Sequence, residues 1–148
     1  MSCKGFTLTE LLIVIGITMI LASASLPIYS NLQVSAQLGE TSAQVSQALR
    51  IARNNSLNRV NSQVHGVKFE IDRYILYQGG SYVSRDITYD REVELSDSLS
   101  LSTDLFGDEV VFSKSFGLPN TTGTITLTHD VEGVSTISLN DLGVTEEE

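Results

Sequence analysis

Lys4-Gly5-Phe6-Thr7-Leu8-Thr9-Glu10-Leu11-Leu12-Ile13-Val14 opens an apolar run that continues to Tyr29, and the reading of this stretch decides the reading of the rest. From Phe6 to Tyr29 the run is 24 residues long. As a helix it spans about 36 Å, enough for a hydrocarbon core of about 30 Å. Lys4 is the only charge before it, which predicts an amino terminus on the cytoplasmic side and the remainder outside. A secretory signal peptide is one reading, with Ala22-Ser23-Ala24 as its small-x-small site and a mature start near Ser25. An uncleaved signal anchor is a second. Neither gives Glu10 a purpose, although a carboxylate in a membrane helix costs about 2.5–3.5 kcal/mol at the centre and less near an end. A third reading places cleavage before the apolar stretch instead of after it.

On these residues the chain resembles the type IV pilin family: a basic residue (Lys4), glycine (Gly5), phenylalanine (Phe6), and glutamate (Glu10) five into the mature chain. The resemblance implies that a membrane aspartyl prepilin peptidase cuts between Gly5 and Phe6 and methylates the new amine of Phe6. Pro27 matches the proline that bends the family's long first helix. The spacing has a physical reason. Cleavage leaves an ammonium at the end of an apolar helix, and a buried unpaired charge costs several kcal/mol where a paired one is tolerated. Glu10 lies one turn from its own amine and can also meet the amine of a neighbouring subunit; the resemblance implies the second role. Correct stagger pairs the charges and wrong stagger strands them, so the pair sets register. The bland alternative is a carboxylate that snorkels to the lipid interface.

Composition agrees with an anchored chain carrying one exported head. The 148 residues have formal net charge −9 and one cysteine. Leu11 to Gly39 carries no charge, whereas most of the acid lies after residue 85. The acidic balance disfavours nonspecific nucleic-acid binding. A lone Cys3 excludes a disulfide framework and Cys-rich zinc sites. It precedes the apolar run, where a lipoprotein signal would follow it, and it departs with the leader. Loss of Lys4 takes the mature charge to −10.

After Pro27 the helical period resumes. Val34, Leu38, Val45, Ala48, Leu49 and Ala52 share a face, with Gln37, Glu40, Gln44, Gln47, Arg50 and Asn54 mostly opposite, up to about Leu57. This predicts an amphipathic continuation that buries its stripe under a small sheet. From Val64 the period becomes alternating. Val67, Phe69 and Ile71 predict one strand and Tyr74 to Tyr77 a second, across Asp72-Arg73, with Gln78-Gly79-Gly80-Ser81 as a turn. Val93 and Leu95, Leu99 and Leu101, and Val110-Val111-Phe112 continue the series. Leu118 to Gly123 is a loop, and Thr124–Thr128 and Val134–Leu139 form a final pair. One long helix followed by five to eight short strands is an α+β layout, that of a pilin head. The expected organisation is leader 1–5, transmembrane and filament-core helix 6–29, amphipathic helix 30–59 and β-rich head 60–148.

The head is also similar to the H-type minor pseudopilins of type II secretion and their FimT-like relatives. Leu49-Arg50-Ile51-Ala52-Arg53-Asn54-Asn55-Ser56, the Val67 strand, Val111-Phe112 followed by Gly117, and Gly123-Thr124-Ile125-Thr126-Leu127 carry that likeness. Many relatives close their last strand with glycine then arginine; here Gly143 is followed by Val144.

No catalytic constellation stands out. His65, at the helix-to-strand junction, and His129, at a strand end, read as ordinary junction or surface residues. There is no Gly-x-Ser-x-Gly elbow and no phosphate loop. Asp86, Asp90, Glu92, Glu94 and Asp97 have the oxygen chemistry of calcium ligands, but their spacing matches no calcium loop and reads as a solvated strand edge. Asn54-Asn55-Ser56 and Asn120-Thr121-Thr122 fit the glycosylation pattern. Arg50, Arg53 and Arg59 would form a small basic stripe, yet after Lys114 the chain has no Lys or Arg.

The resemblance therefore implies a non-enzymatic minor pilin or pseudopilin without cofactor or metal. It would be single-pass in the cytoplasmic membrane, then drawn into a periplasmic or surface filament of a type II secretion system or a type IV pilus. Its implied partners are other pilins, the prepilin peptidase, a membrane platform and an assembly ATPase. The alternative is a DNA-uptake or adhesive pilin at a filament tip.

Overall fold

A computed structural model describes residues 5–147, the side chains of 24–30 excepted. Cys3 and Lys4, and the bend expected at Pro27, lie outside the described residues. Helix α1 runs Leu8–Leu57. It ends where Arg59 takes the left-handed conformation (φ 52°), a terminating geometry more often supplied by glycine. Residues 1–35 and 36–148 form two compact units.

In residues 6–21 the apolar side chains are open on every side of the helix. Phe6, Leu8, Leu12, Ile13, Ile17, Met19, Ile20 and Leu21 all keep more than half of their surface. A helix that is apolar all round is made for burial in something else. Two hydroxyls in the run are turned inward on the backbone. Thr18 Oγ1 donates to the Val14 and Ile15 carbonyls at 3.0 and 2.9 Å, and Ser23 Oγ to the Ile20 carbonyl at 2.8 Å. Such back-bonding leaves no hydroxyl proton to be satisfied by water.

In residues 36–148 the same helix becomes one-sided. Leu38, Val45, Ala48, Leu49 and Ala52, the expected stripe, are buried. Thr41, Ser42, Ser46 and Ser56 are buried with them, so the stripe is wider than its apolar members. Val34, read on the same face, is only half-buried.

Among the described residues eight strands form two antiparallel four-stranded sheets, where the sequence suggests one small sheet. Strands β1 (His65–Phe69), β2 (Arg73–Gln78), β3 (Arg91–Glu94) and β5 (Glu109–Phe112) make the first, in order β3-β2-β1-β5. Strands β4 (Leu99–Thr103), β6 (Gly123–His129), β7 (Val134–Leu139) and β8 (Thr145–Glu147) make the second, in order β4-β6-β7-β8. The second sheet is cleanly two-faced. Leu99, Leu101, Ile125, Leu127, Ile137 and Leu139 are buried on one side, while Ser100, Ser102, Thr124, Thr128 and Ser138 alternate onto the other.

Three local expectations are corrected. Ile71 is not in the first strand; it is 74% exposed in the β1–β2 connection. The glycines after Gln78 open a strap, residues 79–90, instead of a tight turn. The strap folds back over the outer face of the first sheet because Glu109 Oε2 accepts from both Tyr77 Oη and Tyr82 N at 2.7 Å. Arg85 stacks 3.6 Å from the Tyr82 ring centre and bonds Asp90 Oδ2 at 2.7 Å. Finally, Val134–Leu139 is not the last strand. Asn140 Oδ1 accepts from Leu142 N and Val144 N, Gly143 turns at φ 71°, and β8 pairs with β7.

Candidate assembly segment

The helix begins with a built cap. Thr7 Oγ1 accepts from Glu10 N at 3.2 Å, and the Thr7 carbonyl accepts from Leu11 N at 3.2 Å. Thr7-x-x-Glu10 is a capping box in sequence, a signal that reading Glu10 only as a buried charge overlooks. The carboxylate sits in the first turn, where the helix dipole favours negative charge. Glu10 thus has a local role at its own helix start, and its exposed side chain remains available to a neighbour.

Gly5 and Phe6 precede the cap. A side chain at Gly5 would meet nothing within 4 Å, and Phe6 is 76% exposed. The Gly5–Phe6 peptide bond and Glu10 are therefore together on an open terminus, followed at once by apolar surface. Among the described residues no helix is long and apolar enough to cross a membrane; the apolar run itself continues through 24–30, whose side chains are outside the description.

Several of the head residues singled out in the sequence are engaged in the structure. His65 joins helix to sheet: its N–H donates to Ser56 Oγ at 2.8 Å, and its Nε2 lies 3.2 Å from the Val60 carbonyl. His129 Nδ1 accepts from Val131 N at 3.2 Å. Asp86 caps a turn through Thr88 N, Asp90 pairs with Arg85, and Glu92 pairs with Arg73. Among the described residues no group of three or more His, Cys, Asp or Glu is placed to hold a metal. Asn120 Oδ1 accepts from Val111 N at 2.8 Å, whereas Asn54 is exposed on α1.

Of Arg50, Arg53 and Arg59, Arg53 is engaged within the head. Arg53 Nε donates to the Gly117 carbonyl at 3.0 Å. A Cβ at Gly117 would stand 3.1 Å from the Arg53 side chain, and one at Gly143 would stand 2.9 Å from the Gly117 carbonyl. Arg53 is thus a clasp between the helix and two turns that glycine alone can bring so close.

A family model for the prokaryotic N-terminal methylation motif matches residues 1–26. In fold the chain is similar to the type IV minor pilin FimU of Pseudomonas aeruginosa strain PAO1. Against its P21 crystal structure the TM-score is 0.61 at 14% identity, covering 79% of this chain and 92% of that one. Against the P65 crystal structure it is 0.58 at 15% identity, covering 75% and 92%. No curated protein matches the chain in sequence. The chain thus carries a prokaryotic N-terminal methylation motif at its start, and behind it a long helix set on antiparallel sheets, a fold similar to that of a type IV minor pilin.

Proposed function

We propose that the chain is a minor pilin or pseudopilin subunit, non-enzymatic, that polymerises through its first helix. It is held in the cytoplasmic membrane with its head outside, cut between Gly5 and Phe6 by a prepilin peptidase, methylated on Phe6, and drawn into a filament by a platform and an ATPase. One observation carries the reading: an accessible Gly5–Phe6 bond, a carboxylate one turn further on, and apolar surface open all round the helix that follows. Burial of that surface against other subunits drives assembly, and the Glu10 charge sets the stagger. The likeness to the minor pilin FimU supports a minor rather than a bulk subunit. The similarity of the head to H-type pseudopilins makes a secretion filament the companion reading.

The intact mass of the native protein tests the first step. The expected product lacks Met1–Gly5 and carries one added methyl group. A first residue of Met1, or a start near Ser25, overturns the proposal. The second step is tested by Glu10→Gln. Glutamine keeps the capping geometry and removes the charge, so processing and helix content should persist while filament entry is lost. Normal entry of this variant would refute the register role.

A further inference from the structure

We infer that the free edge of β3 is a docking site for an extended segment of a different protein, which reads basic–apolar–basic–acidic along its chain. The inference concerns residues 36–148 alone and does not rest on leader processing. β3 is the outer strand of its sheet. Leu95 N donates to the Asp72 carbonyl at 2.8 Å, one step beyond the register that pairs Arg73 with Glu94. By the alternation of an antiparallel ladder, Arg91 and Val93 then bond β2, and the N–H and C=O groups of Glu92 and Glu94 point away from it. An outward row of unpaired backbone groups is a template for an added strand.

The side chains beside this edge are not neutral. On the helix side, Arg91 and Val93 line a trough of about 490 Å³ with Tyr74, Glu40, Gln44 and Ile51. The Arg91 side chain has no hydrogen bond or ion pair among the described residues. On the opposite side stand Glu92, which pairs with Arg73, and Glu94, which pairs with nothing. An incoming antiparallel strand places a residue opposite each in turn: a cation at Glu94, an apolar side chain at Val93, a cation at Glu92 and a carboxylate at Arg91. Opposite charges across strands are favoured and like charges opposed.

The same arrangement excludes a second copy of the chain. In each antiparallel register that aligns β3 with β3 through its outward groups, Glu92 or Glu94 lies opposite Glu92 or Glu94 of the copy. The acids that repel self-pairing select a strand of complementary charge.

The test uses the full chain in detergent micelles and a capped octapeptide with Lys-Val-Lys-Glu at its centre. Binding should slow hydrogen exchange at the Glu92 and Glu94 amides at least tenfold. Glu94→Pro removes an outward N–H without touching the β2 ladder and should abolish binding. Arg91→Glu should weaken binding about tenfold and regain it with a Lys-Val-Lys-Lys peptide. Unchanged exchange at both amides with millimolar peptide overturns the inference. So does equal binding of a Glu-Val-Glu-Lys peptide, or dimerisation of the chain with protection of these amides.

Discussion

Leu12 and Leu49 stand on one helix, the first with 62% of its surface open and the second with 1%. Around Leu12 the helix is apolar on every side, and the Thr18 and Ser23 hydroxyls fold back on carbonyls of their own helix. Around Leu49 it is apolar on one side only, and two of its hydroxyls reach other elements: Ser56 bonds His65, and Ser46 bonds Glu147 of β8 at 2.9 Å. The first stretch is written for an environment the chain does not itself supply; the second completes its own core. The difference lies in what each face is given to touch.

The widest separation between the two is expected from Leu49→Ala. A fully buried leucine lost from a packed core costs about 2–5 kcal/mol, read as a lower denaturation midpoint with an unchanged slope. Gly66→Ala should follow, at about 1–3 kcal/mol. A Cβ at Gly66 would stand 2.6 Å from the Val110 carbonyl and 2.7 Å from the Tyr77 ring, and neither yields easily. β5 is hydrogen-bonded beside β1, and Tyr77 is held by Glu109. A wild-type midpoint for Gly66→Ala would mean that the two sides of the first sheet are less tightly joined than these distances imply.

Much of this was legible in the sequence because it is local. Gly5, Phe6 and Glu10 form a contiguous motif, and Leu38, Val45, Ala48, Leu49 and Ala52 repeat at helical spacing, as the structure places them. What escaped depends on distant partners. The strap 79–90 is held by Glu109, a residue remote in sequence, so Gly79-Gly80 read as a turn. β8 is three residues, two of them glutamates, with poor strand propensity; only the Asn140-Asp141-Leu142-Gly143 turn chemistry announces it. The clasp of Arg53 on Gly117 escaped for the same reason, since it joins residues with no periodic relation. Thr7 was readable as a cap but was eclipsed by the charge beside it.

A smaller effect concerns how charge fastens the head. Asp104 accepts from Thr124 N and, at 3.0 Å, from Thr124 Oγ1. The backbone bond first, then the hydroxyl bond, hold its carboxyl below the ordinary range. The ionised form therefore stabilises the fold. That contribution is full above the unfolded pKa of about 3.9 and disappears as pH falls through the lower folded value. Asp104→Asn should cost no more than about 1 kcal/mol at neutral pH, because the site is open to solvent. The gap from wild type should narrow below about pH 4. A gap that stays constant to low pH would assign the loss to shape instead of charge.

The smallest effect is the sharpest on the comparison. Leu12→Ala deletes the same atoms as Leu49→Ala from the same kind of backbone. Alanine is at least as good a helix former, and a side chain this open makes few contacts to lose. Chemical denaturation of the full chain in detergent should then return the wild-type value within about 0.5 kcal/mol, against the several kcal/mol expected for Leu49→Ala. A loss above about 1 kcal/mol would mean that Leu12 is packed within its own chain. The apolar surface of the first unit would then be part of the fold, against the proposal that it is surface kept for neighbouring subunits.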